Sequence, residues 1–209
     1  MRRELVIALR VTLVTLVLTG LAYPLAMTAA AQALFHDKAN GSLVHDEKGA
    51  VVGSRLIGQT FVQPGYLQSR PSAAGNGYDA TSSSGSNLGP TSAKLRDRVV
   101  ADLARLQKEN PEAPLPVPND LVTASASGLD PELSPAAALW QVPRIARARQ
   151  VAPERIREVI EARIEGRDLG VLGEPRVNVL AVNLALDQRL GRPAAPPAPP
   201  VAQTHAAEK

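Results

Sequence analysis

Apolar positions are spread unevenly along this chain. The densest run is Val11 to Phe35, VTLVTLVLTGLAYPLAMTAAAQALF, which holds no Asp, Glu, Lys, Arg or His. It exceeds the roughly 20 residues with which a helix crosses the hydrocarbon core of a bilayer. Leu, Val and Thr dominate its first half, and Ala and Gln dilute the second. Pro24 is expected to kink the helix, a fault that membrane helices tolerate better than soluble ones. Beyond this run the pattern breaks into shorter pieces. Leu43-Val44 and Val51-Val52 flank Glu47-Lys48-Gly49 and predict a hairpin of two short strands. Gln63 to Ser92 has almost no aliphatic residues and is rich in Gly, Ser, Asn and Pro. Lys94 to Gln107 predicts an amphipathic helix with Leu95, Val99, Leu103 and Leu106 on one face. Thr91 or Ser92 would cap it and Asn110-Pro111 would end it.

The proline-rich stretch PEAPLPVPND and the turn Gly128-Leu129-Asp130-Pro131 lead to a second helix. Ser134-Pro135 opens that helix, and Pro143 must kink or break it. Val151-Ala152-Pro153 opens a third, whose buried face reads as Ile156, Val159, Ile160 and Ile164, with Gly170 and Gly173 marking its exit. Arg176 to Leu186 begins with alternating Val177, Val179 and Ala181 and predicts a strand running into a short helix. After Gly191, RPAAPPAPPVAQTHAAEK cannot build a core and is expected to be disordered.

Charge decides the orientation. Arg2, Arg3 and Arg10 crowd the front of the apolar run against Glu4, while His36, Asp37 and Lys38 open its rear. The positive-inside rule then keeps the first ten residues in the cytosol and places the rest of the chain outside. Most of the formal net charge of +3 sits in that leading segment, because the remaining 20 basic and 19 acidic side chains almost cancel. A near-neutral body with 3% aromatic residues offers neither a phosphate stripe nor a stacking platform, which argues against nucleic acid as a partner. The chain has no cysteine, so disulfides and thiolate metal sites are excluded. A cleavable secretory signal is the rival reading of the apolar run, with Ala31-Gln32-Ala33 before a cut at Leu34. The uncharged run is longer than the roughly 7–15 residues of a signal core, which favours an uncleaved anchor. Either reading delivers the rest of the chain to the same compartment. The expected organisation is α+β: a basic cytosolic tail (1–10), one transmembrane helix (11–34), a single mixed α/β extracytoplasmic domain (35–190) and a disordered Pro/Ala-rich tail (191–209).

Composition alone would make the Gly/Ser tract a flexible linker. Arg70-Pro71, Tyr78-Asp79 and Asn87-Leu88-Gly89-Pro90 are residues a spacer does not need, and they favour an ordered functional loop. As a phosphate loop the tract fails, since Gly85-Ser86-Asn87-Leu88-Gly89 is followed by Pro90 where a Walker loop requires Lys and Ser/Thr. Serine hydrolysis needs a histidine shuttle, and only His45 lies clear of the membrane edge (His36) and the tail (His205). Thr91-Ser92-Ala93-Lys94 approximates the Ser-x-x-Lys of penicillin-binding sites without the companion motifs. Glu158, Glu161 and Glu165, interleaved with Arg155, Arg157 and Arg163, read as a solvated helix face. No catalytic or metal site is expected.

Six stretches carry a resemblance when taken together and in order: Gly53-Ser-Arg-Leu-Ile-Gly-Gln59, Ser69-Arg-Pro-Ser-Ala-Ala74, Gly85-Ser-Asn-Leu-Gly-Pro90, Thr123-Ala-Ser-Ala-Ser-Gly-Leu-Asp-Pro131, Gln141-Val-Pro-Arg144 and Gly173-Glu-Pro-Arg-Val-Asn-Val179. Behind one N-terminal membrane helix they resemble the C-subunit family of Kdp-type potassium-transporting ATPases, over residues 5–190. Ser84 stands where the family often has Gly, and Glu132 where it commonly has His. The resemblance implies a non-catalytic subunit of an inner-membrane pump. Its partners would be a channel-like potassium-binding subunit and a P-type ATPase subunit, with the surrounding lipid. It also implies that the anchor is not cleaved, and Thr12, Thr15, Gly20 and Ala29–Ala31 are small enough for close packing against partner helices. The family is associated with raising the ATP affinity of the ATPase subunit as a catalytic chaperone. By that resemblance alone, Gln141 and Arg144 are the nucleotide-linked candidates and ATP the only implied cofactor. The charge rule places both residues outside the cytosol, where ATP is scarce, and the structural alternative is that they cap and cross-link the broken helix. A different class of reading is an exported or membrane-anchored binding or adaptor protein with no pump.

Overall fold

The computed structural model describes residues 1–46 and 48–193. Glu47 of the hairpin turn, His205 and almost all of the tail expected to be disordered (191–209) lie outside the described residues. The chain divides into two compact units, with the boundary between Leu56 and Ile57.

In the first unit, α1 (Arg2–Val17) and α2 (Tyr23–Leu34) are joined without interruption by a π-helical turn, Leu18–Ala22. Together they form one helix, Arg2–Leu34, long and apolar enough to cross a membrane. The helix starts well before Val11 because residues 2–10 contain neither Pro nor Gly to stop it. Pro24 sits at the start of α2, and its ring cannot be accommodated against the carbonyl four residues back, at Gly20. The wider π turn occupies that position and absorbs the misfit. Leu16, Leu18, Leu21 and Leu25 are all more than half exposed, and the helix has no buried residue among the described residues. The Thr19 hydroxyl donates to the Thr15 carbonyl at 2.8 Å, which satisfies a polar group inside the apolar run. A single turn, α3 (His36–Ala39), precedes the predicted hairpin, β1 (Leu43–His45) paired antiparallel with β2 (Val51–Ser54). Asp46 closes it, its carboxylate accepting from the backbone of Lys48 and Ala50 at 2.9 Å each.

The second unit is α+β, as the pattern predicts. It contains α4 (Ala93–Glu109), α5 (Pro135–Trp140), α6 (Val142–Arg149), α7 (Pro153–Glu161) and α8 (Val179–Leu190). These accompany a small antiparallel sheet in the order β3 (Glu132–Leu133), β5 (Arg176–Asn178), β4 (Ile164–Glu165). Ile145, Ile156, Ile160, Val177, Val182 and Leu186 are fully buried and form the centre of the core. Period-two alternation turns Leu133, Val177 and Ile164 toward that core and sets Glu132, Arg176 and Glu165 on the outer face. The helix starts follow the sequence: Ser92, Ser134 and Asn178 accept from the backbone of Leu95, Ala137 and Ala181 at 3.4, 3.2 and 3.0 Å.

Of the two outcomes expected at Pro143 the structure takes the second, and two other local expectations need correction. Pro143 breaks the helix: α5 ends at Trp140, Gln141 holds φ −83°, ψ −7°, and the proline enters the first turn of α6, where its missing N–H costs nothing. Ile164 does not continue the face of α7. The chain turns at Ala162, and Ile164 pairs with Val177 in the sheet. The strand after Arg176 is only three residues long and its helix is twelve, because Asn178 caps it and Val179, Val182 and Leu186 fall on one buried helical stripe.

Candidate functional site

The start of the Gly/Ser-rich tract is a turn, closed by the Tyr66 N–H donating to the Gln63 carbonyl at 3.1 Å, and it continues through Leu67 and Gln68, which belong to no strand or helix. Its backbone is held by side chains instead. Asn183, on α8, accepts from the Leu67 N–H at 2.7 Å and donates to the Leu67 carbonyl at 2.9 Å. Gln141 does the same for Gln68, accepting from its N–H at 2.9 Å and donating to its carbonyl at 3.0 Å. Each amide therefore supplies the donor and acceptor that a neighbouring strand would have provided. Arg144 donates to the carbonyls of Pro64 at 2.6 Å and Tyr66 at 3.1 Å, and Arg149 donates to that of Gly65 at 2.6 Å. Five consecutive carbonyls, 64 through 68, thus each receive a side-chain donor. Leu67, completely buried, is the peg at the centre of this clasp.

Both nucleotide-linked candidates from the sequence lie inside the clasp, and the helix break at Gln141 brings them together. Gln141 is 2% exposed and Arg144 4%, and an Arg144 N–H donates to Gln141 Oε1 at 2.6 Å. Burial is the main cause that lowers the Arg144 pKa to about 10, so its guanidinium is still charged at neutral pH. Backbone carbonyls and the Gln141 amide oxygen solvate that charge in place of water. Arg149 is buried as deeply, with its side chain 2% exposed, and it pairs with Asp187 at 2.8 Å. It also lies over the Tyr66 ring at 5.0 Å, while the Tyr66 hydroxyl donates to the other Asp187 oxygen at 2.8 Å. Nothing in the sequence reading marked Asn183, Arg149 or Asp187. The available signal was Asn183 itself, a lone amide in the otherwise apolar VLAVNLAL.

Further along, the tract is stitched to residues 123–130. Arg70 pairs with Asp130 at 2.9 Å and donates to the Thr123 carbonyl at 3.2 Å. Ser72 donates to the Gly128 carbonyl at 2.6 Å and accepts from the Tyr78 N–H at 2.8 Å. The Tyr78 hydroxyl donates to the Arg70 carbonyl. Ser83 Oγ and Ser84 N both donate to the Ser127 carbonyl at 3.0 Å. Gly128 is required at this junction, because at φ +68° a Cβ would stand 2.6 Å from the Ala74 nitrogen and the Ser84 carbonyl oxygen. Asp79 caps the short turn Ala80–Ser82, and its hydrogen bonds from Thr81 hold its carboxyl below the ordinary value. Arg70, Tyr78 and Asp79, three of the residues that a spacer does not need, are therefore ties that give the loop its shape.

The other candidates are not among the residues of the clasp. The Ser92 hydroxyl caps α4. His45 lies on β1. Glu161 pairs with Arg157 at 3.7 Å, and Glu165 lies on β4 beside Arg176 at 3.3 Å. Among the described residues, no group of three or more His, Cys, Asp or Glu could hold a metal ion.

Residues 5–188 match the family model described as KdpC, the c chain of the K+-transporting ATPase. The chain belongs to the KdpC family. A protein of Myxococcus xanthus named potassium-transporting ATPase KdpC subunit is 65% identical over 184 residues, covering 88% of this chain and 87% of its own. Relatives of the same name from Methylobacterium nodulans and Koribacter versatilis are 55% and 52% identical, covering 92% and 90% of this chain and 98% and 95% of theirs. As a KdpC-family chain, it is a subunit of a potassium-transporting ATPase complex, and the one candidate membrane span among the described residues is in keeping with anchoring in the bilayer.

Proposed function

We propose that this chain is an accessory subunit that assembles and stabilises a high-affinity, ATP-driven potassium uptake complex, and that it carries no catalytic group of its own. The observation that supports this most directly is the family match over residues 5–188, combined with the Arg2–Leu34 helix that carries Arg2, Arg3 and Arg10 at its front. The helix anchors the chain uncleaved in the inner membrane with its arginines in the cytosol. Residues 35–190 lie on the extracytoplasmic side, beside a channel-like potassium-binding subunit, while a P-type ATPase subunit performs the hydrolysis. Any rise in ATP affinity passes through the conformation that the assembly favours, not through contact with nucleotide. Gln141 and Arg144 contribute by seating residues 64–68, since their hydrogen-bonding groups face that backbone and not solvent.

The chain contains no cysteine, so a single Ser127→Cys variant gives an unambiguous topology probe. An impermeant thiol reagent is expected to label it in cells whose inner membrane is intact. Labelling only after that membrane is opened would place the body in the cytosol and restore direct ATP contact. Mass spectrometry should find the mature N-terminus ahead of Val11, and a terminus at Leu34 would instead indicate an exported soluble protein. The tagged chain should co-purify in detergent with two larger membrane proteins, and recovery alone would end the complex reading.

A further inference from the structure

The hairpin that joins β4 to β5 has no part in the clasp, and it carries three exposed aliphatic side chains. Its tip is Leu169-Gly170-Val171-Leu172, with Leu169 90%, Val171 72% and Leu172 58% exposed. The tip is a built turn. Asp168 and Leu172 exchange two backbone hydrogen bonds of 2.9 Å, and the N–H groups of Gly170 and Val171 donate to the Arg167 and Asp168 carbonyls at 3.1 and 3.2 Å. Leu169 is held at φ +53°, a left-handed conformation that a leucine adopts only when its surroundings impose it. Ion pairs brace the base: Arg167 with Glu174 at 2.8 Å, and Arg176 with Glu132, Glu165 and Asp168 at 3.2, 3.3 and 3.2 Å. Three aliphatic side chains therefore project outward from a rigid support with a rim of paired charges.

We infer that this knob seats in an apolar recess on the extracytoplasmic surface of a partner protein subunit, an inference that rests on the complex-subunit reading above. An apolar centre inside a polar rim is the usual arrangement of a protein–protein contact. A lipid surface fits poorly. Residues 163–176 carry three arginines and three carboxylates, Glu132 adds another negative charge at the base, and the tip has no aromatic residue. Loops that sit in a bilayer interface depend on the opposite combination, cationic excess with Trp or Tyr. A preformed turn also leaves little ordering to be done on docking, so even a small apolar contact can contribute affinity.

The test uses a Leu169→Cys variant of the full-length chain, followed on its own gel band. A maleimide should label the free subunit readily and the purified complex about tenfold more slowly, as expected for a side chain at a desolvated contact. Glu154→Cys, at the exposed start of α7, should label at the same rate in both. A photo-crosslinking residue at Val171 should capture a partner subunit. Equal labelling of Leu169→Cys in an intact complex, or crosslinks only to phospholipid or to a second copy of this chain, would overturn the inference and leave the complex reading standing. If the wild-type chain recovers no partner at all, both fail together.

Discussion

Asn183→Ala tests the clasp at its centre. Asn183 is 2% exposed and makes both of its hydrogen bonds, 2.7 and 2.9 Å, to the backbone of the completely buried Leu67. Truncation orphans one buried N–H and one buried C=O, each at about 1–3 kcal/mol. Water entering the small gap would recover part of this, so a net loss of about 3 kcal/mol is expected. That is a large share of the roughly 5–15 kcal/mol that holds an ordinary domain together. Urea unfolding of the full chain in detergent measures the total. Amide hydrogen exchange gives the local reading: peptides covering residues 64–68 should exchange about a hundredfold faster, the factor that corresponds to about 3 kcal/mol. The control is Asn178→Ala on the same helix, which removes the cap accepting from the Ala181 N–H and should cost about 1 kcal/mol without a selective effect on 64–68. A loss below about 1 kcal/mol for Asn183→Ala, with unchanged exchange at Leu67 and Gln68, would mean that the side-chain amides do not hold this segment.

Three other outcomes follow from the same geometry. Gly128→Ala forces a Cβ into the Ala74 nitrogen and Ser84 carbonyl at a left-handed φ and should destabilise by more than about 1 kcal/mol, whereas Gly89→Ala, with open space around it, should stay within about 0.5 kcal/mol in a thermal melt. Asp187→Asn leaves the buried Arg149 without its anionic partner and is expected to cost about 3–5 kcal/mol in urea unfolding; a neutral result would show that the carbonyls and the Tyr66 ring suffice to hold the charge. Burial is the main cause that raises the Tyr78 pKa above its ordinary 10.0, with the Asp130 charge adding to it. The linked stability is therefore complete below pH 10.0 and is lost as pH climbs through the folded-state value, so Tyr78→Phe should flatten the alkaline fall in the urea midpoint between about pH 9 and 12. An unchanged alkaline slope would assign that fall to other groups, Tyr66 first, whose pKa burial also raises.

The dependence of the fold on residues 64–68 suggests how a subunit of this kind tolerates a long polar tract. Between Gln63 and Ser92 the chain offers few apolar side chains, so burial cannot fix its path. Directional bonds from buried amides and guanidinium groups do so instead, at the clasp and again where Arg70, Ser72 and Tyr78 meet residues 123–130. Such bonds lose most when only one partner is removed, which makes the tract stiff as long as its holders are intact.

What the sequence settled by itself was carried by composition, local capping and the clearest periodicities. The uncharged run to Phe35, the hairpin around Asp46, the amphipathic stripe of α4 and the capped starts at Ser92 and Ser134 depend on neighbours a few residues away, and each could be read in order. Tertiary structure decided the rest, because the information lay in partners far apart in the chain. Ile164 has the spacing of a helical face but belongs to β4, since Val177 offers it a strand to pair with. Asn183 meets Leu67 across 116 positions and Arg144 meets Pro64 across 80, distances over which no pattern in one sequence announces a hydrogen bond. Gln141 and Arg144 were conspicuous as residues. That they face inward, onto a backbone segment with no strand beside it, follows only from the way the helices close around that segment.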